Sequence, residues 1–85
     1  MQKELIYSKH ALDQMAERGT FKEEVEETVL KGERVPAKKG RHAYRFNFQY
    51  RQIWGGKWYP VKQVMPVIKE DDAGFIVITV YVFYF

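Results

Sequence analysis

The chain is predicted to be α+β, in the order strand-helix-helix-strand-strand-strand, with a curved antiparallel sheet and two N-terminal helices packed on one face. Three observations predict this. Apolar residues recur at helical spacing up to Gly32. From His42 onward they recur at every second residue, the period of a strand with one face buried. Short turn sequences join the later strands, which makes those neighbours antiparallel.

The elements follow in order. Glu4-Leu5-Ile6-Tyr7 forms a short strand. Ser8 is an N-cap, since its hydroxyl can accept from a free amide of the first turn. Lys9 to Arg18 is a helix with Ala11, Leu12, Met15 and Ala16 as its apolar stripe, and Gly19 ends it in the left-handed conformation. Thr20-Phe21-Lys22-Glu23 has capping-box spacing and starts a second helix. Its inner face is Phe21, Val25, Val29 and Leu30, its first turns carry Glu23, Glu24, Glu26 and Glu27, and Gly32 closes it. His42, Tyr44, Phe46, Phe48 and Tyr50 then alternate with Ala43, Arg45, Asn47, Gln49 and Arg51, an aromatic face against a basic one. Gly55-Gly56 makes a turn. Val61 to Lys69 is the next strand, where Pro66 suggests an edge or a bulge. Residues 70–74 are turn chemistry. Phe75 to Phe85 is the last strand. Ile76, Ile78, Val80 and Val82 are expected toward the helices, with Phe75, Val77, Thr79, Tyr81, Phe83 and Phe85 on an open face. That open face is apolar enough to suggest a covering partner or a dimer contact.

Size and composition narrow the function. The 85 residues fit one domain, spanning 1–85, with ordinary globular composition. There is no cysteine, which removes disulfides, thiolate metal sites and cysteine nucleophiles and suits a cytoplasmic location. The N-terminal residues lack the apolar run of a signal peptide, and the longest apolar run, Phe75 to Phe85, is too short for a membrane helix. Residues 1–33 carry five basic and eight acidic side chains, residues 34–69 nine basic and no acidic ones, and residues 70–85 three acidic and no basic ones. A long basic stretch without a carboxylate favours an anionic partner, nucleic acid first, or else forms a solvated face.

Ser8-Lys9-His10-Ala11 with Met15, Arg18 and Gly19, then Val25, Gly32 and the closing Val77-Ile78-Thr79-Val80-Tyr81, resembles a small bacterial domain-of-unknown-function family. That family is grouped with RelE/ParE/BrnT-type toxins and with the metal-independent ribonuclease folds of barnase, EndoU and the colicin nucleases. The resemblance covers essentially the whole chain. It implies a RelE-like fold and a toxin-antitoxin role, as an RNA-binding domain and a metal-independent endoribonuclease, a hydrolase. The RNA can be ribosome-bound mRNA, and an antitoxin is expected on the open sheet face. By position, His10 matches the family histidine at the start of the first helix, Arg18 the arginine before its glycine stop, and Thr79 and Tyr81 the polar pair of the final strand. The segment between Phe48 and Met65, with Trp54, Trp58 and Pro60, departs from many members. The superfamily also includes gyrase poisons, so a ParE-like toxin acting on a protein and a non-catalytic binding module are the alternatives.

Metal-free RNA cleavage needs a base for the 2′-hydroxyl, cations around the phosphorus and an acid for the leaving 5′-oxygen. His10 is the candidate for proton transfer, because histidine titrates near neutrality. Its alternative role is a helix residue bonded to a carbonyl or to Tyr81. Arg18 can clamp a phosphate or anchor the helix end. Tyr81 can donate a proton and Thr79 can position a phosphate, or both can simply tile the sheet. Arg45, Arg51, Lys62 and Lys69 are candidate phosphate contacts, and Arg41 with Lys38 and Lys39 forms a basic loop suited to steering. Trp54, Trp58 and Tyr59 can stack on bases, or form a satellite core that holds the turn, the commoner role. Two histidines 32 residues apart with no cysteine give no metal site, and no cofactor motif is present.

Overall fold

The computed structural model describes residues 4–72 and 74–85. Its elements are β1 (Leu5–Tyr7), α1 (Lys9–Arg18), α2 (Lys22–Lys31), β2 (Glu33–Val35), β3 (Arg41–Trp54), β4 (Lys57–Asp71) and β5 (Gly74–Tyr84). The strands form one open five-stranded sheet in the order β1-β5-β4-β3-β2. The predicted α+β class and the helix pair are present. β1, however, runs parallel to β5, while the other neighbours are antiparallel. No tight turn links β1 to β5, so nothing local dictates its direction. β2 was not anticipated, because three residues are too few to show a period. The N-terminal residues 1–3 and Ala73 of the predicted turn lie outside the described residues.

The helix ends show local chemistry at work. Ser8 Oγ accepts from the Ala11 amide at 3.0 Å, the predicted cap. Gly19 has φ 81°, and a Cβ there would lie 2.6 Å from both the Trp54 ring and the Tyr84 hydroxyl. Glycine is therefore required twice, by conformation and by space. The capping box does not form. Phe21 is the N-cap of α2, with no side-chain cap bond. Thr20 instead donates to the Glu24 carboxylate at 2.8 Å. At the other end a Cβ on Gly32 would lie 2.6 Å from the Arg45 carbonyl oxygen, so glycine lets the chain turn closely into β2.

The core is small. Ala11, Met15, Val25, Val64, Ile68, Val77 and Val80 form its buried cluster, with Leu5, Tyr7, Val29, Tyr44, Phe48, Phe75 and Val82 packed around it. The helices bury narrower stripes than their sequences suggest. α1 buries Ala11 and Met15 and leaves Leu12 and Ala16 exposed. α2 buries Val25 and Thr28, whereas Phe21 and Leu30 are 53% and 62% exposed. Thr28 can replace an apolar residue there because its hydroxyl donates to the Glu24 carbonyl one turn back, at 2.8 Å.

Two strand irregularities change which side chains face where. On β5, Thr79 opposes Val67 but Val77 opposes Ile68, so Ile78 is one residue too many. This bulge resets the alternation. Phe75 and Val77 meet the core before it, and Val80 and Val82 after it. The expected Ile76-Ile78-Val80-Val82 side is therefore split. On β3, Tyr44, Phe46, Phe48 and Tyr50 are half-buried while Arg45, Asn47, Gln49 and Arg51 are exposed, as the alternation predicts; Ala43, expected on the polar side, is instead buried, where it lines a hollow with Val67 and Thr79. A second irregularity lies between Gln49 and Gln52, where Arg51 has φ 54°. Pro66 is neither at an edge nor in a bulge: it is fully buried in the central strand β4. The β3–β4 pairing lapses beside it, between Ala43–Val67 and Phe46–Val64, because proline has no amide hydrogen to give.

Candidate functional site

β1 covers β5 only as far as Val77, so the next stretch of the β5 edge would present bare backbone. The α1 segment covers it with side chains. The Ser8 amide donates to the Val77 carbonyl at 3.1 Å, and the Ser8 hydroxyl to the Ile78 carbonyl at 3.4 Å. Gln14 Oε1 accepts from the Val80 amide at 3.0 Å and from the Thr79 hydroxyl. Arg18 donates to the Val80 carbonyl at 2.7 Å, and its guanidinium lies 5.5 Å from the Tyr81 ring centroid.

His10, Gln14 and Arg18 are spaced by four and so form one stripe of α1. The structure thus gathers Arg18, Thr79 and Tyr81 at one seam, with His10 one turn beyond Gln14. His10 is exposed, and no hydrogen bond ties it to another described side chain. Arg18 anchors the helix end while also covering Tyr81. Gln14 was missed by sequence reasoning. The signal was available, because the eight-residue step from His10 to Arg18 leaves one residue between them on that stripe.

The face of the sheet away from the helices continues this seam. Thr79 and Tyr81 line a shallow hollow of about 230 Å³ together with Val35, Lys38, Arg41 and Met65. Arg41, which lines the hollow, has Lys69 as its register partner on β4, and both are exposed. Tyr81 stacks beside Phe83 at 6.4 Å. Arg45 is exposed but shares its charge with Glu33, at 2.7 Å. Arg51 is exposed in its irregular stretch farther along β3.

Lys62 does not belong to this surface. It is 4% exposed. Its ammonium donates to Glu24 at 2.8 Å and to the Gly19 carbonyl at 3.0 Å, and lies 5.1 Å from the Tyr50 ring centroid. Its charge is consumed in tying β4 to the turn between the helices. β4 has Lys62 on the helix side, among Val64, Pro66 and Ile68, which is the reason a basic residue read as a phosphate contact became a core cation.

The aromatic residues near the hairpin divide. Trp54, Tyr50 and Tyr59 surround Tyr84 at centroid distances of 4.9, 5.2 and 5.8 Å. The Tyr84 hydroxyl donates to the Arg18 carbonyl at 2.6 Å. Burial, with smaller effects from Tyr50 and Glu24, pushes this phenol up to about 12. This is the satellite core. Trp58 is not part of it and stands 55% exposed.

A larger groove of about 800 Å³ lies on the helix side, lined by Leu5, Tyr7, Lys22, Glu26, His42 and Tyr44 among others. His42 meets Arg34 through Nδ1. Burial, then Glu26, pushes the Tyr7 phenol well above its ordinary range. None of the predicted site residues lines this groove. Among the described residues no three His, Asp or Glu side chains gather where they could hold a metal ion, and no helix is long and apolar enough to cross a membrane.

No curated protein and no solved structure matches the chain. A family model described as a domain of unknown function, DUF4258, matches residues 7–82. That match covers nearly the whole chain from β1 to β5, and the protein belongs to the DUF4258 family.

Proposed function

We propose that the protein is a toxin-like, RNA-binding domain of RelE/BrnT type that cleaves RNA without a metal, in the cytoplasm. The observation that carries this reading is the seam itself. An exposed histidine stands one turn from a glutamine that binds Thr79 and Val80, and Thr79 in turn lines a hollow with Arg41, whose register partner is Lys69. In the proposed step the 2′-oxygen attacks phosphorus and the 5′-oxygen leaves, forming a 2′,3′-cyclic phosphate. The 2′-hydroxyl proton goes to a base, and the leaving oxygen takes one from an acid. His10 is suited to either transfer. Arg41 and Lys69 would offset phosphate charge, and the Tyr81 hydroxyl is the second donor within the hollow. Arg18 and Thr79 would act by holding Tyr81 and the α1 seam in place.

The test is cleavage of RNA in EDTA by wild type and His10→Ala, with circular dichroism on both. Cleavage that survives EDTA and is lost in the folded variant supports the reading. No cleavage of free or ribosome-bound RNA by folded wild type would overturn the catalytic part. A second reading rests on the exposed Tyr81, Phe83 and Phe85. A protein partner, an antitoxin or a second copy, would bury these same rings by covering this face. Such a complex would resist salt where RNA binding would not.

A further inference from the structure

We infer that the RNA is bound single-stranded along a stacking track that runs from Tyr81 through Phe83 and Phe85 to Trp58, at the far end of the β3–β4 hairpin. The inference rests on the RNA-binding reading above and gives it a substrate class and an extent. Tyr81, Phe83, Phe85 and Trp58 are 41%, 46%, 54% and 55% exposed, in a protein whose buried core holds no aromatic ring. Phe83 and Phe85 alternate with Tyr84, and Trp58 alternates with Tyr59, so all three project away from the satellite core. Tyr81 and Phe83 are nearly parallel, 14° apart with centroids at 6.4 Å, and so present successive flat surfaces. Ile53, directly opposite Trp58 and 66% exposed, widens the apolar platform at the tip.

The charges around the track identify its occupant. Lys38, Arg41 and Lys69 lie at one end and Arg51 stands along β3 toward the other, while the Lys57 ammonium sits over the Tyr59 ring on the satellite-core side. No carboxylate occurs anywhere from residue 34 to 69. Aromatic faces bordered by cations are the means by which unpaired bases and their phosphates are held. Paired bases in a duplex cannot offer their faces to such a surface.

The test uses the full chain and fluorophore-labelled oligouridylate, with affinity read by anisotropy and contact at Trp58 read by its emission in a Trp54→Phe background. Binding should quench Trp58, and Trp58→Ala and Phe83→Ala should each weaken binding roughly 5- to 150-fold with thermal melting unchanged. Duplex RNA of equal length should bind more weakly than the single strand. If wild type binds RNA but the duplex binds equally well and both variants retain full affinity, the track is overturned while RNA binding stands. If folded wild type binds no RNA, the inference and the reading beneath it both fall.

Discussion

The two faces of this sheet treat the same kinds of residue in opposite ways. On the helix side, Lys62 is buried and its ammonium is satisfied by Glu24 and the Gly19 carbonyl. On the open side, Lys69 of the same strand and Arg41 opposite it stand exposed, and Arg41 lines the hollow that holds Thr79 and Tyr81. The aromatic residues divide likewise, with Trp54 stacked on Tyr84 and Trp58 in solvent. Residue type and local charge density therefore do not locate a binding surface. The side of the sheet each residue takes does, and the irregularities in β3 and β5 reset that side along a strand.

This contrast can be broken from the helix side with the largest effect. Lys62→Ala leaves Glu24 in a largely buried site without its cation, and should lower stability by about 3–5 kcal/mol in urea unfolding. Lys62→Met with Glu24→Leu should recover much of that loss, because apolar residues of similar volume replace the pair. Gly19→Ala should cost about 1–3 kcal/mol, since alanine meets both a left-handed backbone and the Trp54 and Tyr84 side chains. Gln14→Ala leaves the Val80 amide without its acceptor and should cost about 1–3 kcal/mol. Thermal melts distinguish these from the open-face changes. Arg41→Ala and Lys69→Ala should shift stability by no more than about 0.5 kcal/mol, yet each should reduce the salt slope of RNA binding by about 1.

The smallest effect concerns pH. Tyr84 holds its proton up to about 12 in the folded protein, against 10.0 ordinarily. Between those values the unfolded chain releases the proton first, so stability falls as pH rises through that window. Tyr84→Phe should lessen this alkaline decline, with Tyr7 sustaining the remainder. A decline of equal steepness in the variant would show that the Tyr84 hydroxyl does not contribute to it.

Much of the fold was legible because it is local. The Ser8 cap, the Gly19 stop, the Gly55-Gly56 turn and the alternation from Tyr44 to Arg51 each follow from neighbours within a few residues. The rest depends on contacts distant in sequence. The bulge at Ile78 moves Val77 into the core, and nothing in an unbroken apolar run marks it. Thr20 leaves the capping box with Glu23 because its hydroxyl donates to Glu24, a carboxylate that Lys62, some forty residues on, also holds. Leu30 and Phe21 look apolar enough to be inside, but α2 meets the sheet through Val25, Thr28 and Val29. For the site, the residue types were read and the seam was not. Gln14 became visible only when α1 was seen lying along the β5 edge.

The most direct test of the contrast is an amide chemical-shift titration of the full chain with single-stranded oligouridylate. The account predicts shifts at Arg41, Lys69, Thr79, Tyr81, Phe83 and Trp58, with α2 and Lys62 unmoved. Shifts confined to α2 and the groove beside Tyr7 and His42 would contradict it.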